Sequence, residues 1–387
     1  MFANIQKMNI ISFLFNLQFF EAVIIPFFTG WGGLSFSETL LLQSWFLFWI
    51  FAFEVPTRLF ADRFGRKTSI ILSCFITAFA ALIFGSIPNI YAFLLADFLW
   101  ALGTAFISGA DEAMIYDTLK TANITSRSKS VFAKYSAMPM LAFVIASPIG
   151  SIMAVNFGIN YPMLFSVIPS ILAGFIAITL KEPSNKIEKR EHYIFIIKES
   201  LMFIREHKKL RPLIIDSILG SSLLFYITWL YQIMLKNSNA DIGIYGWVSA
   251  GMNIFSIILL AQLLHLEKIF GKKNLIRMTL LIPGIAFIAS AFTINLAITI
   301  FLIFLIIGFW EIRAPLYSSY FNIHIPAANR AMILSTILMM GRILTALLNI
   351  AVGAMMDWSI RGTLIALGVS AIVFAVFSNI KEKDLGY

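Results

Sequence analysis

The sequence predicts an all-α integral membrane protein with twelve transmembrane helices, arranged as two pseudo-symmetric six-helix bundles. Hydrophobic residues make up 59% of the 387 positions and charged residues only 13%, so the chain cannot cover a water-soluble globule of this size with polar side chains. Twelve apolar stretches approach the roughly 20 residues that a helix needs to cross a bilayer. A sequence repeat, described below, divides these stretches into two groups of six.

Each predicted helix is an apolar run between charged or turn-forming residues. The helices are expected at 8–29, 37–60, 68–87, 90–119, 130–154, 161–180, 212–235, 244–265, 274–292, 295–320, 331–355 and 362–380. The first six form an N-terminal bundle over 1–180, and the last six form a C-terminal bundle over 212–387. The segment 181–211 between them is basic and is predicted to be cytoplasmic. It forms either an amphipathic helix on the inner membrane face or a solvated linker with a short helix.

An internal repeat supports the division into two halves. The tetrapeptide Phe-Gly-Arg-Lys at 64–67 returns 206 positions later as Phe-Gly-Lys-Lys at 270–273, in each case between two apolar runs. The same shift approximately matches the helix that starts near 8 to the one near 212. Each half is therefore predicted to be one bundle, and ligand sites in folds of this kind lie between the halves.

Basic residues are distributed unevenly along the chain, whose net charge is +9. If the N-terminus is cytoplasmic, about 26 of the Lys and Arg side chains fall in or beside cytoplasmic segments, and Lys236 and Arg361 fall outside. The distribution indicates a multi-pass protein with both termini in the cytoplasm, and it accounts for the positive charge without a nucleic-acid partner. The N-terminal apolar run lacks a small-residue cleavage site and is interpreted as a retained first helix.

Common catalytic and cofactor signatures are missing from the sequence. It contains no P-loop and no Gly-x-Ser-x-Gly elbow, and its four histidines lack metal-ligand spacing. Cys74 is the only cysteine, so no intramolecular disulfide can form. The sequence therefore indicates neither an enzyme nor a bound metal or cofactor.

The segment that joins the second and third predicted helices carries the most specific motif. Residues 54–67 read Glu-Val-Pro-Thr-Arg-Leu-Phe-Ala-Asp-Arg-Phe-Gly-Arg-Lys. The last six resemble the loop signature of the major facilitator superfamily, Gly-x-x-x-Asp-Arg-x-Gly-Arg-Arg/Lys, and the segments 54–57 and 108–117 are similar to those of a bacterial subgroup. The resemblance implies the twelve-helix fold of that superfamily and a location in the bacterial inner membrane.

The resemblance also implies roles for the loop residues. Asp62 is expected to cap the cytoplasmic start of helix 11, near 330–335, when the protein faces outward, because a carboxylate is stabilised at a helix N-terminus. Arg66 is expected to pair with Asp117. Gly65 permits a tight turn that a residue with a Cβ would strain.

The other basic residues of the loop are Arg58, Arg63 and Lys67. Arg63 and Lys67 belong to the signature, and Lys67 also supports the positive-inside orientation. Arg58 stands where the family has its leading glycine, so the close approach of helix 2 to helix 11 is expected to loosen. Its side chain must either reach the cytoplasmic headgroups or pair with an acid such as Glu54, one helical turn away. The alternative for all these charges is that they only fix the topology.

Ionisable residues inside the predicted helices are candidates for the substrate or proton pathway, because they are costly to place in lipid. Arg342 lies near the middle of helix 11 and either lines the central cavity or makes a structural pair. Glu21 lies in the outer half of helix 1, with Gln18 one turn before it on the same face. Asp97 lies in helix 4, one turn from Trp100. Glu21 and Asp97 each either serve the cavity or make hydrogen bonds within the bundle.

Helices 5, 7 and 10 supply further candidates. Trp229 and Trp310 stand near polar residues and are candidates for an aromatic cavity lining. Glu311 is expected to point inward and Arg313 toward the membrane interface, because residues two apart on a helix do not face each other. The segment 146–150, Ala-Ser-Pro-Ile-Gly, resembles a helix 5 motif of antiporters, and its alternative role is a local bend or close packing.

The resemblance implies a secondary active transporter that moves a small organic molecule by alternating access, as a monomer in the bilayer and with a proton gradient in place of a cofactor. The resemblance to the bacterial subgroup and the excess of buried acids over bases favour efflux coupled to proton entry, with Glu21 or Asp97 as the protonatable group. The alternative is an uptake symporter or facilitator for a metabolite, sugar or siderophore-like compound, in which Arg342 holds an anionic group. A third reading is a transport-inactive sensor or an intramembrane enzyme on the same scaffold.

The charge asymmetry predicts which loops are accessible from each side of the membrane. A cysteine introduced as Asn237→Cys should react with a membrane-impermeant thiol reagent in intact cells, and one introduced as Lys186→Cys should react only after the membrane is opened. The parent chain, whose only cysteine is Cys74, gives the background. The opposite labelling pattern would overturn the orientation.

Overall fold

The computed structural model describes residues 2–183, 193–326, 330–378, 380–382 and 385, and within these ranges all regular structure is helical. Eleven helical segments of the described chain are long and apolar enough to cross a membrane, some of them made of two consecutive helices, and Glu21–Trp31 is a shorter apolar segment. The all-α membrane fold is therefore confirmed. The helix count agrees with twelve when Glu21–Trp31 is taken as part of an interrupted first helix.

The N-terminal half contains nine α-helices in the described residues. They are α1 (Phe2–Phe15), α2 (Ile24–Pro26), α3 (Phe36–Phe64), α4 (Arg66–Ser86), α5 (Ile90–Ile107), α6 (Ala110–Thr121), α7 (Ser128–Phe157), α8 (Tyr161–Phe165) and α9 (Val167–Ile178). Short 3₁₀ turns occupy Glu21–Val23 and Thr125–Arg127, and a π turn occupies Phe27–Trp31.

The rest of the described chain contains ten α-helices. They are α10 (Tyr193–Glu206), α11 (Leu210–Leu224), α12 (Ile227–Asn237), α13 (Ile242–Ala261), α14 (Leu263–Phe270), α15 (Lys272–Ser290), α16 (Leu296–Glu311), α17 (Arg313–His324), α18 (Arg330–Trp358) and α19 (Ile360–Phe377). The segment predicted as either an amphipathic helix or a linker, 181–211, thus contains a helix, α10. Its residues 184–192 lie outside the described part.

The chain divides into two compact units. One consists of Met1–Lys189 with Ile242–Ala250, and the other of Arg190–Asp241 with Gly251–Tyr387. The first unit therefore includes the beginning of α13. Its apolar core joins α1, α4, α6 and α9 through buried side chains that include Met8, Ile70, Ile115, Ala177 and Leu180.

The first predicted helix, 8–29, is wrong as a continuous helix. α1 ends at Phe15, residues 16–20 leave the helical conformation, and helical structure resumes at Glu21. The Asn16 side-chain amide donates to the carbonyl of Ser12 (2.8 Å), so it offers the backbone a local alternative to another helical turn. Neither proline nor glycine occurs at 16–20, and for that reason the apolar pattern gave no sign of the break.

Two neighbouring segments of the first unit stabilise the break at Phe19. The Phe19 N–H donates to the hydroxyl of the buried Ser166 (3.0 Å), and the Phe19 carbonyl oxygen lies so close to Gly150 of α7 that a Cβ there has no room. Irregular backbone at membrane depth is tolerated only where protein or water encloses it. Gly150 therefore provides close packing, which was one of the two roles considered for the segment 146–150.

A comparable interruption occurs in the second half. Residues 225 and 226 separate α11 from α12, so the helix predicted at 212–235 is also divided. These two positions follow 19 and 20 by 206, which is the spacing of the sequence repeat. The predicted helices 90–119, 161–180, 244–265 and 295–320 are interrupted as well, at 108–109, 166, 262 and 312. The repeat thus extends from the glycine turns to the broken first helix of each half.

A buried ion pair joins four segments of the second unit. Arg313 at the start of α17 is fully buried, so the expectation that it points toward the membrane interface is wrong. Its Nη2 donates to Oδ1 of Asp216 (3.0 Å) and to the Asp216 carbonyl (2.7 Å), and its Nη1 donates to Oγ1 of Thr279 (2.6 Å). The hydroxyls of Tyr317 and Ser378 also donate to the Asp216 carboxylate. Two opposite charges with this many hydrogen bonds can remain inside the unit.

We expect Arg313→Met to destabilise the protein by about 3–5 kcal/mol, because it leaves the Asp216 carboxylate buried without a counter-charge. The matched control is Arg127→Met, which removes an exposed arginine and should change stability by less than about 0.5 kcal/mol. Denaturant titration in mixed micelles measures both. The double variant Arg313→Met/Asp216→Leu should recover much of the loss. Equal losses for the two single variants would contradict this account.

Candidate functional site

The signature loop between α3 and α4 is a turn at one residue, Gly65. Its φ of 95° and ψ of 149° define a conformation that is favourable only for glycine. Gly271, at the corresponding place between α14 and α15, has φ 76° and ψ 153°. The tight turn expected at Gly65 is therefore present, and the repeated copy has nearly the same backbone.

Arg66 connects this loop to α6. Its guanidinium contacts the carboxylate of Asp117, the partner that the resemblance implied, and its Nη1 donates to the carbonyl of Ala113 (2.7 Å). The two paired side chains are 22% and 14% exposed, so water screens the pair only in part. The pair ties the beginning of α4 to α6.

Arg58, which replaces the leading glycine of the signature, pairs with Glu54. Its Nη2 lies 2.7 Å from Oε1 of Glu54, one helical turn earlier on α3. This is one of the two outcomes considered from the sequence. Because the Glu54 side chain is only 13% exposed, the pairing compensates an acid that would otherwise lie near the membrane interior without a partner.

Glu182 also holds the loop in place, a role that the sequence motif does not indicate. Its two carboxylate oxygens accept hydrogen bonds from the backbone N–H groups of Arg66 and Lys67, both at 2.8 Å. These are unpaired donors of the first turn of α4, where a negative charge is also favoured by the helix dipole. The available signal was weak: an acid placed just after the last helix of the first half.

Asp62 is half-buried, and no described residue of its own unit forms a hydrogen bond or ion pair with its carboxylate. The capping of the α18 N-terminus by Asp62 stays a prediction, because Asp62 and α18 belong to different units. Arg63 is exposed and lies over the ring of Phe64, with Cζ 5.3 Å from the ring centroid. Lys67 contributes its backbone N–H to the Glu182 carboxylate.

Gln18 and Glu21 lie at the interruption of the first helix. Gln18 is inside the break and its side-chain amide donates to the carbonyl of Phe15 (3.4 Å), whereas Glu21 is the first residue of the helical segment that follows. The argument that a regular helix places both on one face therefore does not hold. Both side chains are half-buried.

Two aromatic residues that closely follow Asp97 in α5 contact neighbouring segments. Phe98 makes an edge-to-face contact with Trp49 of α3 (4.7 Å between centroids), and Trp100 makes one with Phe20 at the break (5.3 Å). The Asp97 side chain is half-buried, and no described residue of its unit forms a hydrogen bond or ion pair with it. The helix that carries Asp97 is thus in aromatic contact with α3 through Phe98 and with the broken first helix through Trp100.

The second unit holds the remaining candidates. Trp229 is 7% exposed, while the indole N–H of Trp310 donates to the carbonyl of Ser221 on α11 (3.1 Å). Glu311 and Arg342 are exposed on this unit, and no described residue of the unit pairs with Arg342. Trp310 therefore supports the interrupted helix 7, and the structural pair considered for Arg342 has no counterpart in the described part of its unit.

Among the described residues, no group of three or more His, Cys, Asp or Glu side chains could hold a metal ion.

A family model, the Major Facilitator Superfamily, matches residues 10–312. The chain belongs to the major facilitator superfamily. Proteins of this family are transporters, so the chain is a membrane transporter and not an enzyme.

Two relatives from Bacillus subtilis (strain 168) illustrate the similarity within the superfamily. The uncharacterized MFS-type transporter YxaM is 25% identical over 349 residues, which cover 86% of this chain and 85% of the relative. Multidrug resistance protein 2 is 33% identical over 150 residues, 38% of this chain and 36% of that protein. The second similarity is therefore higher but local.

Solved structures of this superfamily share the fold over nearly the whole chain. The nucleoside transporter NupG superposes with a TM-score of 0.82 at 13% identity and covers 99% of each chain. A bacterial homologue of the human lysosomal transporter Spinster gives a TM-score of 0.75 at 15% identity over 100% of this chain and 98% of the other. At these identities the likeness concerns the fold alone.

We expect Gly65→Ala to destabilise the protein more than Gly271→Ala. Both substitutions force a Cβ into a backbone conformation that costs on the order of 1–3 kcal/mol. Only at Gly65 does the Cβ also approach a neighbour, the Glu182 carboxylate, at 3.1 Å, whereas nothing lies within 4 Å at Gly271. Denaturant titration of both variants measures the difference.

The same titration in a Glu182→Ala background provides the control. There the two glycine substitutions should have equal effects, because the displaced carboxylate is gone. Glu182→Ala alone should cost about 0.5–2 kcal/mol, the usual range for a lost helix cap. A difference between the glycine variants that persists without Glu182 would show that the carboxylate is not its cause.

Proposed function

We propose that this transporter exports small organic cations in exchange for protons, and that Asp97 is the group for which cargo and proton compete. The observation that carries the proposal is the half-buried Asp97 carboxyl, which has no bonding partner in the described part of its unit and stands on α5 close to residues that make aromatic contacts, such as Phe98 and Trp100. Acids inside membrane proteins are functional candidates, and aromatic faces attract organic cations.

The charge pattern of the first half supports a positively charged cargo. The stretches 8–57, 68–119 and 135–180 contain no lysine or arginine, while Glu21 and Asp97 lie within them. A membrane interior with acids and no basic side chains attracts cations, and it gives a bound anion no counter-charge. Export is further supported by the local similarity to multidrug resistance protein 2, which covers 38% of this chain.

Exchange follows from competition at one carboxyl. When Asp97 is protonated it has no charge to attract a cation, and when a cation occupies the site the proton is excluded. Alternating access then couples proton entry to cargo exit, because the charged carboxylate takes up the cation from the cytoplasm and the proton that displaces it arrives from outside. Glu21 begins the helical segment after the break, and Phe20 beside it contacts Trp100, so it is the second acid proposed for this pathway.

The test uses inside-out membrane vesicles with the membrane potential clamped by potassium and valinomycin. We expect tetraphenylphosphonium to accumulate when the lumen is acidified, and tetraphenylborate, an anion of the same shape, not to accumulate. Asp97→Asn should lower the uptake by at least about tenfold, because a charge–charge interaction of a few kcal/mol is lost. The matched control Glu112→Gln removes an exposed acid from α6 and should retain uptake. Equal uptake by both variants would contradict the assigned role of Asp97.

A second candidate function is uptake of an anionic metabolite, and the position of Arg342 favours it. This arginine lies within the membrane-spanning part of α18, and its side chain is exposed on its unit. In that case right-side-out vesicles should accumulate an anionic probe such as tetraphenylborate, and Arg342→Gln should abolish the accumulation while Asp97→Asn leaves it intact. Accumulation of the anion in this pattern would replace the first proposal.

A further inference from the structure

α10 is fixed to the second unit along one face. Ser200 is fully buried and Ile204, one helical turn later, is 9% exposed. Ile204 belongs to an apolar cluster with Ile333 and Ile337, which lie near the start of α18. α10 is therefore seated on the first turns of α18, the region that Asp62 is expected to cap.

The opposite face of α10 combines apolar and basic side chains, and no element in the described part of the chain covers it. Leu201 is 43% exposed and Met202 is 49% exposed, and Arg205 is exposed one turn after Leu201. Side chains four apart lie on the same face of a helix, so Leu201 and Arg205 point the same way. An exposed apolar pair with an arginine at its edge is typical of a helix at a membrane surface.

The chain that follows places this face at the edge of the bilayer. The membrane-spanning segment Leu210–Asn237 begins four residues after α10 ends, and Ile215 within it is 53% exposed. Lys208 and Lys209, between α10 and α11, are exposed as well. α10 therefore ends just before a membrane-spanning segment, which is where a helix is expected to meet the headgroups.

We propose that the outer face of α10 binds anionic phospholipids, with Leu201 and Met202 among the upper acyl chains and Arg205, Lys208 and Lys209 on the headgroup phosphates. The local charge supports this partner: these three residues and Arg211 are basic, against the acids Glu199 and Glu206. Because α10 is seated on α18, a lipid bound here stabilises the beginning of α18 as well. The binding does not depend on the identity of the cargo.

The experiment follows the thermal unfolding of the full-length protein in detergent while lipid is added. We expect phosphatidylglycerol to raise the midpoint temperature, and phosphatidylcholine or inorganic phosphate at equal concentration not to. In the variant Arg205→Gln/Lys208→Gln/Lys209→Gln, the phosphatidylglycerol concentration for the half-maximal shift should rise roughly fivefold per charge removed. This difference in the phosphatidylglycerol concentration between the variant and the parent protein should disappear at high salt, where charges are screened.

A matched control removes the same charges elsewhere. Arg127→Gln/Lys129→Gln/Lys134→Gln takes one arginine and two lysines from exposed positions of the first unit and should leave the phosphatidylglycerol midpoint unchanged. The variant Leu201→Ser/Met202→Ser should weaken the lipid effect at all salt concentrations, because it removes apolar contacts. Equal losses in the two triple variants, or an equal shift with inorganic phosphate, would overturn the proposal.

Discussion

The structure depends on the absence of water from the bilayer interior. A backbone amide or a charge at that depth has only the protein itself as a partner, and one left without a partner costs several kcal/mol. This constraint accounts for the two main irregular features. The break at Phe19 is enclosed by Ser166 and Gly150, and Arg313 is surrounded by the carboxylate, carbonyl and hydroxyl groups that it needs.

The same constraint decides where the candidate site lies. Most membrane-embedded polar groups of this chain are satisfied close by, as in the hydrogen bond from Thr57 to the carbonyl of Ala105 or from Tyr226 to Asn349. Asp97 is an exception, as is Arg342 in the second unit, because no described group of its own unit satisfies it. Such a residue lowers stability, and a protein retains it where a ligand or a proton completes its bonding.

Much of the fold could be predicted from the sequence, because hydropathy and local turn chemistry report it directly. Apolar runs gave the number of spans, and the repeated glycines at 65 and 271 gave turns whose backbone angles nearly coincide. Contacts between positions far apart in the sequence are harder to predict. Glu182 caps a helix that begins 116 positions earlier in the chain, at Arg66, and only the folded chain reveals the pair. The sequence does place opposite charges, Asp216 and Arg313, in two predicted spans. Their pairing could be expected because charges inside a membrane protein usually pair with one another.

The interruption of the first helix has a mechanical consequence. Bending stiffness along a helix comes from its ladder of backbone hydrogen bonds, and that ladder stops after Leu17. The N–H of Gln18 donates to the carbonyl of Asn16, and the N–H of Phe19 donates to the hydroxyl of Ser166. α1 is held by the core through Met8 and Ile11, whereas Glu21–Trp31 packs separately, with Phe27 in aromatic contact with Phe84 and Phe93. Glu21 is the first residue of this second segment, so the packing of Glu21–Trp31, and not the direction of α1, determines the orientation of its carboxylate.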